Sequence, residues 1–105
     1  GDNQGAIADY NQAIAINPQL AEAYSNRAVA KGRLGDNQGA IADYNQAIAI
    51  NPQDALAYRN RGVAKVRLGD NRGACSDFKK AAALGQQSAT QWLRSDGGAW
   101  CRNTP

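Results

Sequence analysis

The sequence predicts an all-α fold, an α-solenoid built from stacked pairs of antiparallel helices. The first observation is an internal repeat: residues 1–19 recur without change at residues 35–53, and a diverged copy begins at residue 69, a spacing of 34 residues both times. A repeat of this length is typical of solenoids assembled from supersecondary units. The second observation is that apolar residues within each copy recur at steps of three and four, which indicates helices that bury one face.

Polar and glycine signals divide the chain into helices and turns. Asp36 precedes an apolar run and can cap its first turn, and Gly35 accepts the left-handed conformation that ends the preceding helix. Asn51-Pro52 closes the run, because proline cannot donate to a continuing helix. By the same signals we expect helices over residues 3–16, 21–34, 37–50, 55–68, 71–84 and 89–95. Ser88 is the expected cap of the last helix.

The repeats define the expected domain organisation, one domain of 105 residues. We expect a half repeat that contains only a second helix (1–20), full repeats (21–54 and 55–88), a capping helix (89–96) and an irregular tail (97–105). Because the sequence opens inside a repeat and without methionine, we interpret it as a fragment.

Composition argues against several classes of function. The chain has no histidine, which is the commonest general base and metal ligand, and it has no nucleophile elbow, phosphate loop or evident carboxylate pair. We therefore expect no catalysis, no metal and no cofactor. The net charge of +3 is too mild to predict nucleic acid, and no apolar run approaches the ~20 residues of a membrane span.

Two successive units carry the same spaced set of aromatic, small and basic residues. In the first unit these are Tyr24, Arg27, Ala28, Ala40, Tyr44, Ala47 and Pro52. In the second they are Tyr58, Arg61, Gly62, Ala74, Phe78 and Ala81, with Gln86 where proline would be. This pattern, over about residues 1–95, resembles the tetratricopeptide repeat. The resemblance implies a right-handed superhelix whose first helices line a concave groove.

Basic residues depart from the family pattern inside each helix pair. Arg27 stands where the family more often has leucine, and Lys31 stands where it usually has a large apolar residue. Because a bare charge inside a helix pair is costly, and a hairpin that turns near residue 35 places residue 27 beside residue 43, we expect Arg27 to pair with Asp43. The equivalent residues of the next unit are Arg61, Lys65 and Asp77. The alternative is that these arginines contact a ligand directly.

The family's geometry implies a partner-binding groove on the first helices. Its expected residues are Glu22, Ser25, Asn26, Val29, Arg33, Leu56, Arg59, Asn60, Val63, Val66 and Arg67. An apolar strip edged by arginines suits a segment with apolar anchors and some acidic residues. Some relatives bind acidic chaperone tails, and Asn26 matches one of their groove positions. Leu56 and Asn60 stand where those relatives need lysine and arginine, which argues against that activity.

We accordingly predict a protein–protein interaction scaffold. The alternative is self-assembly into a homo-oligomer through the N-terminal helix, whose exposed surface would be formed by Ala6, Ile7, Tyr10, Ala13 and Ile14. Single-stranded RNA binding is the weaker alternative, because aspartates match the basic residues.

The two cysteines and two tryptophans lie near the C-terminus. A hairpin turn near residues 85–88 brings Cys75 close to Cys101, so a disulfide is within reach in an oxidising setting, although two unrelated thiols remain the alternative. Trp92 matches the first aromatic of the family pattern and is expected in the core of the capping helix. Trp100 either folds back over the last helix pair or forms an exposed contact.

Overall fold

A computed structural model describes residues 2–103 of the chain. Seven α-helices follow one another through short turns, and no strand occurs in this range, so the all-α class is confirmed. The helices are α1 (Asn3–Ile16), α2 (Ala21–Arg33), α3 (Asn37–Ile50), α4 (Ala55–Arg67), α5 (Asn71–Ala83), α6 (Gln87–Arg94) and α7 (Ala99–Arg102), with a 3-10 turn at Asp96–Gly98.

The chain divides into two compact units, Gly1–Pro52 and Gln53–Pro105. In the first unit α2 packs against both α1 and α3, and in the second unit α5 packs against both α4 and α6. The short α7 packs against α6. The finer division into a half repeat, two full repeats and a capping helix stays a prediction.

The turn between α2 and α3 uses one glycine to end one helix and one aspartate to begin the next. Gly35 has a φ of 87°, which glycine adopts without a Cβ penalty. Its N–H donates to the Gly32 carbonyl (3.0 Å), and the Asp36 N–H donates to the Lys31 carbonyl (2.9 Å). The Asp36 carboxylate then accepts from the Gly39 N–H (2.8 Å). The bonds from the Gly35 and Asp36 N–H groups form a Schellman motif, which satisfies the last carbonyls of α2. The bond from the Gly39 N–H to Asp36 caps the first turn of α3.

Helix α6 begins earlier than the sequence predicts, and the expectation that Ser88 caps it is wrong. The cap is Gln86, whose side-chain oxygen accepts from the Ala89 N–H (2.7 Å) and from the Ser88 hydroxyl (2.6 Å). Gly85 has a φ of 95° and makes the same turn as Gly35, so Gln86 occupies the position that Asp36 holds in the first hairpin. A helix can therefore start at once, at Gln87.

The expected irregular tail is also wrong over the part that the structure describes; positions 104 and 105 of that tail lie outside it. The 3-10 turn and α7 fold the chain back over the end of α6. Gly98 permits this approach, because a Cβ there would collide with the carbonyl oxygen of Trp92. The Arg102 guanidinium donates to the carbonyls of Leu93 (2.6 Å) and Ser95 (2.9 Å) at the C-terminal end of α6, where helix carbonyls lack intrahelical partners. The Ser95 carbonyl also accepts from the Gly98 N–H (3.1 Å).

A disulfide joins this C-terminal segment to α5. Cys75 and Cys101 are bonded, with their Cα atoms 5.2 Å apart, and both residues are buried. The structure thus places the two thiols together, as the hairpin argument suggested they could be. The bond ties α7 to a helix that lies 26 residues earlier in the chain.

The core of each unit consists mostly of alanine around one aromatic ring. Tyr44 in the first unit and Phe78 in the second are buried on the second helix of each hairpin. Alanine allows helix backbones to approach closely, and the ring fills the remaining space. A Cβ on Gly62 would lie 2.9 Å from Phe78 Cε1, so glycine lets that ring lie directly against α4. The buried alanines are Ala23, Ala28, Ala30, Ala40, Ala47, Ala57, Ala64, Ala74, Ala81 and Ala89.

A buried carboxylate links the two helices of each hairpin, and the expected pairing of Arg27 with Asp43 is confirmed. Arg27 Nη2 and Nε lie 2.7 and 2.8 Å from the two oxygens of Asp43, whose side chain is 5% exposed. Lys31 Nζ lies 3.1 Å from the same carboxylate. The Arg27 guanidinium also lies 5.5 Å from the centroid of the Tyr24 ring.

The second hairpin repeats this arrangement. Arg61 lies 2.7 and 2.9 Å from the oxygens of Asp77, Lys65 lies 3.0 Å away, and the Tyr58 ring lies 5.3 Å from the guanidinium. The pKa of Arg61 is raised above its ordinary value, mainly because the guanidinium donates hydrogen bonds to Asp77. A raised pKa in a cation stabilises the folded state at every pH below the unfolded pKa, so this contribution is complete across the physiological range.

We predict that Asp77→Asn destabilises the protein by about 3 kcal/mol, because two half-buried cations lose their carboxylate. Removing one partner of a buried ion pair typically costs about 3–5 kcal/mol. We expect the lower end, since the side chains of Arg61 and Lys65 are 17% and 20% exposed and can turn towards water. Urea denaturation followed by circular dichroism measures the change. The matched control is Asp9→Asn, at the exposed equivalent in α1, which should shift stability by less than about 0.5 kcal/mol. Equal stability of the two variants would contradict the prediction.

We predict that the purified, air-exposed protein contains the Cys75–Cys101 bond. Intact-mass spectrometry without reductant should show the loss of two hydrogens relative to the reduced chain. Closing a loop with a sequence separation of 26 should stabilise the fold by about 3–4 kcal/mol on the chain-entropy model. The double variant Cys75→Ser/Cys101→Ser should therefore melt at a lower temperature. Rapid alkylation of two thiols in the native protein would contradict the prediction.

Candidate functional site

A pocket of ≈ 210 Å³ lies in the second unit. Its walls come from three helices: Arg59 and Val63 belong to α4, Phe78 belongs to α5, and the remaining residues belong to α6. The residues of α6 are Ser88, Ala89 and Trp92. The pocket thus joins two residues of the predicted groove to residues that were expected to be core or cap.

Aromatic rings in mutual contact form the apolar part of the pocket. Phe78 is buried, and its ring centroid lies 4.7 Å from that of Trp92 at an interplanar angle of 48°. Trp92 in turn meets Trp100 edge-on, with centroids 5.8 Å apart and an angle of 84°. Trp100 therefore folds back onto α6, yet 42% of its surface stays exposed. These contacts hold the Trp92 ring from two sides, so the pocket wall is preformed.

One cation and one hydroxyl border the aromatic wall. Arg59 is half-buried, and its Nη1 donates to the side-chain oxygen of Asn60 (2.9 Å), which orients the guanidinium. The hydroxyl of Ser88 donates to Gln86. An apolar recess beside an arginine can take an apolar side chain together with a neighbouring carboxylate, since a guanidinium presents a fork of donors to a carboxylate.

The other predicted groove residues of the second unit do not line this pocket. Leu56 (52% exposed) and Val66 (41% exposed) are large apolar residues in solvent, and Arg67 is exposed as well. Asn60 contributes indirectly, through its hydrogen bond to Arg59. Of the predicted groove residues in the second unit, Arg59 and Val63 are the ones that line the pocket.

In the first unit the predicted groove residues lie along α2. Glu22 and Arg33 are exposed, whereas Asn26 and Val29 are half-buried. The Ser25 hydroxyl is buried and has no hydrogen-bond partner among residues 2–103. These residues stay a prediction for partner contact.

The sequence analysis missed the contribution of α6 to the site. Trp92 continues the 34-residue spacing of Tyr24 and Tyr58. Helix α6 therefore corresponds to α2 and α4, the first helices of the two preceding repeats. That spacing could have indicated a recess between α4 and α6. The participation of Phe78 had no comparable signal, because a buried aromatic and a pocket-lining aromatic look alike in a sequence.

The predicted self-association surface lies on α1. Ala6, Ile7, Tyr10, Ala13 and Ile14 are all half-buried there, although the same residue types are mostly buried in the identical helix α3. Self-association through this surface stays a prediction.

Residues 2–103 lack two other features, a cluster of metal ligands and a membrane-spanning helix. No three acidic or cysteine side chains in that range come together as metal ligands would. Among the helices described, none has the length and apolar character that a membrane crossing requires.

Comparison with known proteins agrees with the helical architecture. The family model for the TPR repeat matches residues 1–35 and 33–69. The first TPR of Spaghetti (RPAP3), bound to the HSP90 peptide SRMEEVD, superposes with a TM-score of 0.80 at 28% identity, covering 90% of this chain and 82% of that chain. The second TPR of Spaghetti (RPAP3), bound to the same peptide, gives 0.78 at 31% identity, covering 80% and 78%.

A crystal structure of MamA gives a TM-score of 0.79 at 31% identity, and it covers 86% of this chain and 53% of that chain. The present sequence thus spans about half of the MamA chain. A search of the curated proteins gives no match.

We predict that the two tryptophans of the site differ in their contribution to stability. Trp92→Ala should cost about 3–4 kcal/mol, because it removes a ring packed against both Phe78 and Trp100. Trp100→Ala should cost about 1 kcal/mol, because that ring is substantially exposed and loses mainly one aromatic contact. Urea denaturation with far-ultraviolet detection measures both. If Trp100→Ala were the more damaging change, the assignment of Trp92 as the packed ring would be wrong.

Proposed function

Since the chain belongs to the tetratricopeptide repeat family, we propose that it is a non-catalytic scaffold. It binds a peptide or protein segment along the first helix of each repeat. The observation that carries this proposal is the pocket between α4 and α6, where an aromatic wall lies beside Arg59. Tetratricopeptide repeats typically serve as protein–protein interaction modules, so both the fold and the pocket support this class of function.

The volume of the pocket favours one side-chain anchor. Small-molecule and cofactor sites typically measure about 300–1,000 Å³. A recess of ≈ 210 Å³ lined by Val63, Phe78 and Trp92 is smaller, and it suits one aliphatic or aromatic side chain of a bound segment. Burial of that anchor would supply most of the affinity, as buried apolar anchors do at other interfaces.

The charge beside the pocket favours an acidic neighbour to the anchor. In the first hairpin Arg27 forms an ion pair with Asp43, and in the second Arg61 forms an ion pair with Asp77. Arg59, by contrast, bonds the neutral side chain of Asn60, so its charge is available to a ligand carboxylate. We infer a partner segment that places an acidic residue one or two positions from its apolar anchor.

The similar structures guide this proposal only in part. The Spaghetti (RPAP3) repeats are bound to a peptide that combines apolar residues with glutamates and an aspartate. The present chain has Leu56 and Asn60 where relatives that bind chaperone tails have lysine and arginine. We therefore propose the shared chemistry, an apolar anchor with acidic flanks, and not the chaperone tail itself.

We predict that Val63→Asp weakens partner binding at least tenfold while helix content and melting temperature stay nearly unchanged. The probe is a fluorescein-labelled peptide with one central leucine between glutamates, and binding is followed by anisotropy. A carboxylate at Val63 would both fill the recess and repel the acidic probe. Arg59→Ala should weaken binding less, and mostly at low salt, because its contribution is electrostatic.

Two comparisons make this test specific. Val66→Asp introduces the same charge at an exposed position of α4 outside the pocket, and it should change affinity less than threefold. A peptide with lysines in place of the glutamates should bind weakly. Equal losses for Val63→Asp and Val66→Asp would reject the pocket as the anchor site. Binding that collapses with salt and is displaced by single-stranded RNA would favour nucleic acid instead.

A further inference from the structure

A series of contacts connects the disulfide to the wall of the pocket. Cys101 of α7 is bonded to Cys75 of α5. The residue before Cys101 is Trp100, whose ring meets that of Trp92 edge-on with the centroids 5.8 Å apart. Trp92 lines the pocket and also contacts Phe78, which neighbours Cys75 on the surface of α5. The bond therefore fixes the position of one of the two rings that support Trp92.

The non-covalent contacts of α7 are exposed to water, whereas its covalent link is buried. Arg102 is exposed, and Trp100 keeps 42% of its surface in solvent. Hydrogen bonds that water can replace add little net stability, and a helix of four residues is not stable by itself. Cys75 and Cys101, by contrast, are at most 1% exposed. The disulfide is thus the buried anchor of this segment.

The last repeat departs from the others at the positions that matter here. Cys75 stands where α1 and α3 have isoleucine, at Ile7 and Ile41. Ser95 and Ala99 stand where the preceding repeats have the arginine and lysine of their ion pairs. An ion pair does not respond to a reductant, but a disulfide does. The segment that supports the pocket is therefore held by a bond that a thiol can break.

We propose that the Cys75–Cys101 disulfide is a redox switch for the pocket, an inference that rests on the peptide-binding function proposed above. When the bond is intact, Trp100 supports Trp92 and the recess is preformed. When the bond is reduced, α7 separates from α6 and Trp92 loses that support. Part of the binding free energy is then needed to order the recess, so the partner binds more weakly.

The reductant is a dithiol. Local opening of the short α7 exposes the sulfur atoms, as expected for the least stable segments of a fold. A thiolate of the dithiol attacks one cysteine sulfur and forms a mixed disulfide, and the other cysteine leaves as a thiolate that takes up a proton. The second thiol of the dithiol then displaces the first cysteine. Two electrons and two protons pass to Cys75 and Cys101, and the dithiol becomes a disulfide.

The test measures the affinity of the full chain for the fluorescein-labelled leucine–glutamate peptide, before and after reduction with dithiothreitol. We expect reduction to weaken binding about three- to tenfold, the scale of one aromatic contact. Tryptophan emission should shift to longer wavelength as Trp92 and Trp100 gain contact with water. The double variant Cys75→Ser/Cys101→Ser should bind like the reduced chain, with or without dithiothreitol. Far-ultraviolet circular dichroism at the same temperature checks that the other helices persist.

A variant with the disulfide intact separates the loss of the ring from a general loss of stability. Trp100→Ala should weaken binding about as much as reduction does, and reducing this variant should weaken binding little further, since both changes remove the same contact. Leu68→Ala is the matched control. It removes an exposed apolar side chain outside the pocket, so the response to dithiothreitol should stay unchanged.

The results distinguish failure of the switch from failure of the pocket. Equal affinity of the oxidised and reduced chains, with helix content retained, would overturn the switch alone. Unchanged affinity of Trp100→Ala would do the same, and this variant decides the matter if reduction unfolds the chain. If the oxidised chain does not bind the peptide at all, the proposed function fails and the switch fails with it.

Discussion

A carboxylate enclosed by an arginine and a lysine determines how the two helices of each hairpin pack. The desolvation of Asp43 is offset only if both oxygens find donors, and Arg27 and Lys31 supply them from one face of α2. The arginine guanidinium donates two hydrogen bonds to a carboxylate in one fixed geometry. The pair therefore specifies the register of the two helices as well as holding them together. Arg27 also reaches Asn11, so the same guanidinium holds α1 against α2.

This polar contact matters because the apolar core is thin. Most buried side chains are alanines, which bring helix backbones together but bury little surface each. Tyr44 and Phe78 are the buried aromatic side chains of their units. In such a core one helix could slide along another at little cost, because each alanine contact that is lost would be replaced by a contact with the next alanine. The ion pairs make such a shift costly, because it would leave a buried carboxylate without its cations.

The C-terminal helices are held by different chemistry, and the pocket is a consequence. The positions that correspond to the arginine and lysine of the hairpins are Ser95 and Ala99, so α6 and the chain after it cannot form the same ion pairs. The disulfide, the packing of Trp92 against Phe78 and Trp100, and the bonds from Arg102 to the end of α6 hold this segment instead of ion pairs. Close ion-paired packing is thus replaced by aromatic packing that leaves a recess beside Val63.

The sequence by itself determined the helices, their turns and the ion pairs, because these depend on neighbours a few residues away or across one short hairpin. Asp36, Gly35 and the 34-residue period predicted the architecture, and hairpin geometry alone paired Arg27 with Asp43. Only the tertiary structure decided that Gln86 caps α6, that the tail folds into α7, and that Phe78 and Trp92 form a pocket wall. Each of these depends on where a segment packs in three dimensions. A side chain's type does not reveal whether it meets protein, ligand or solvent.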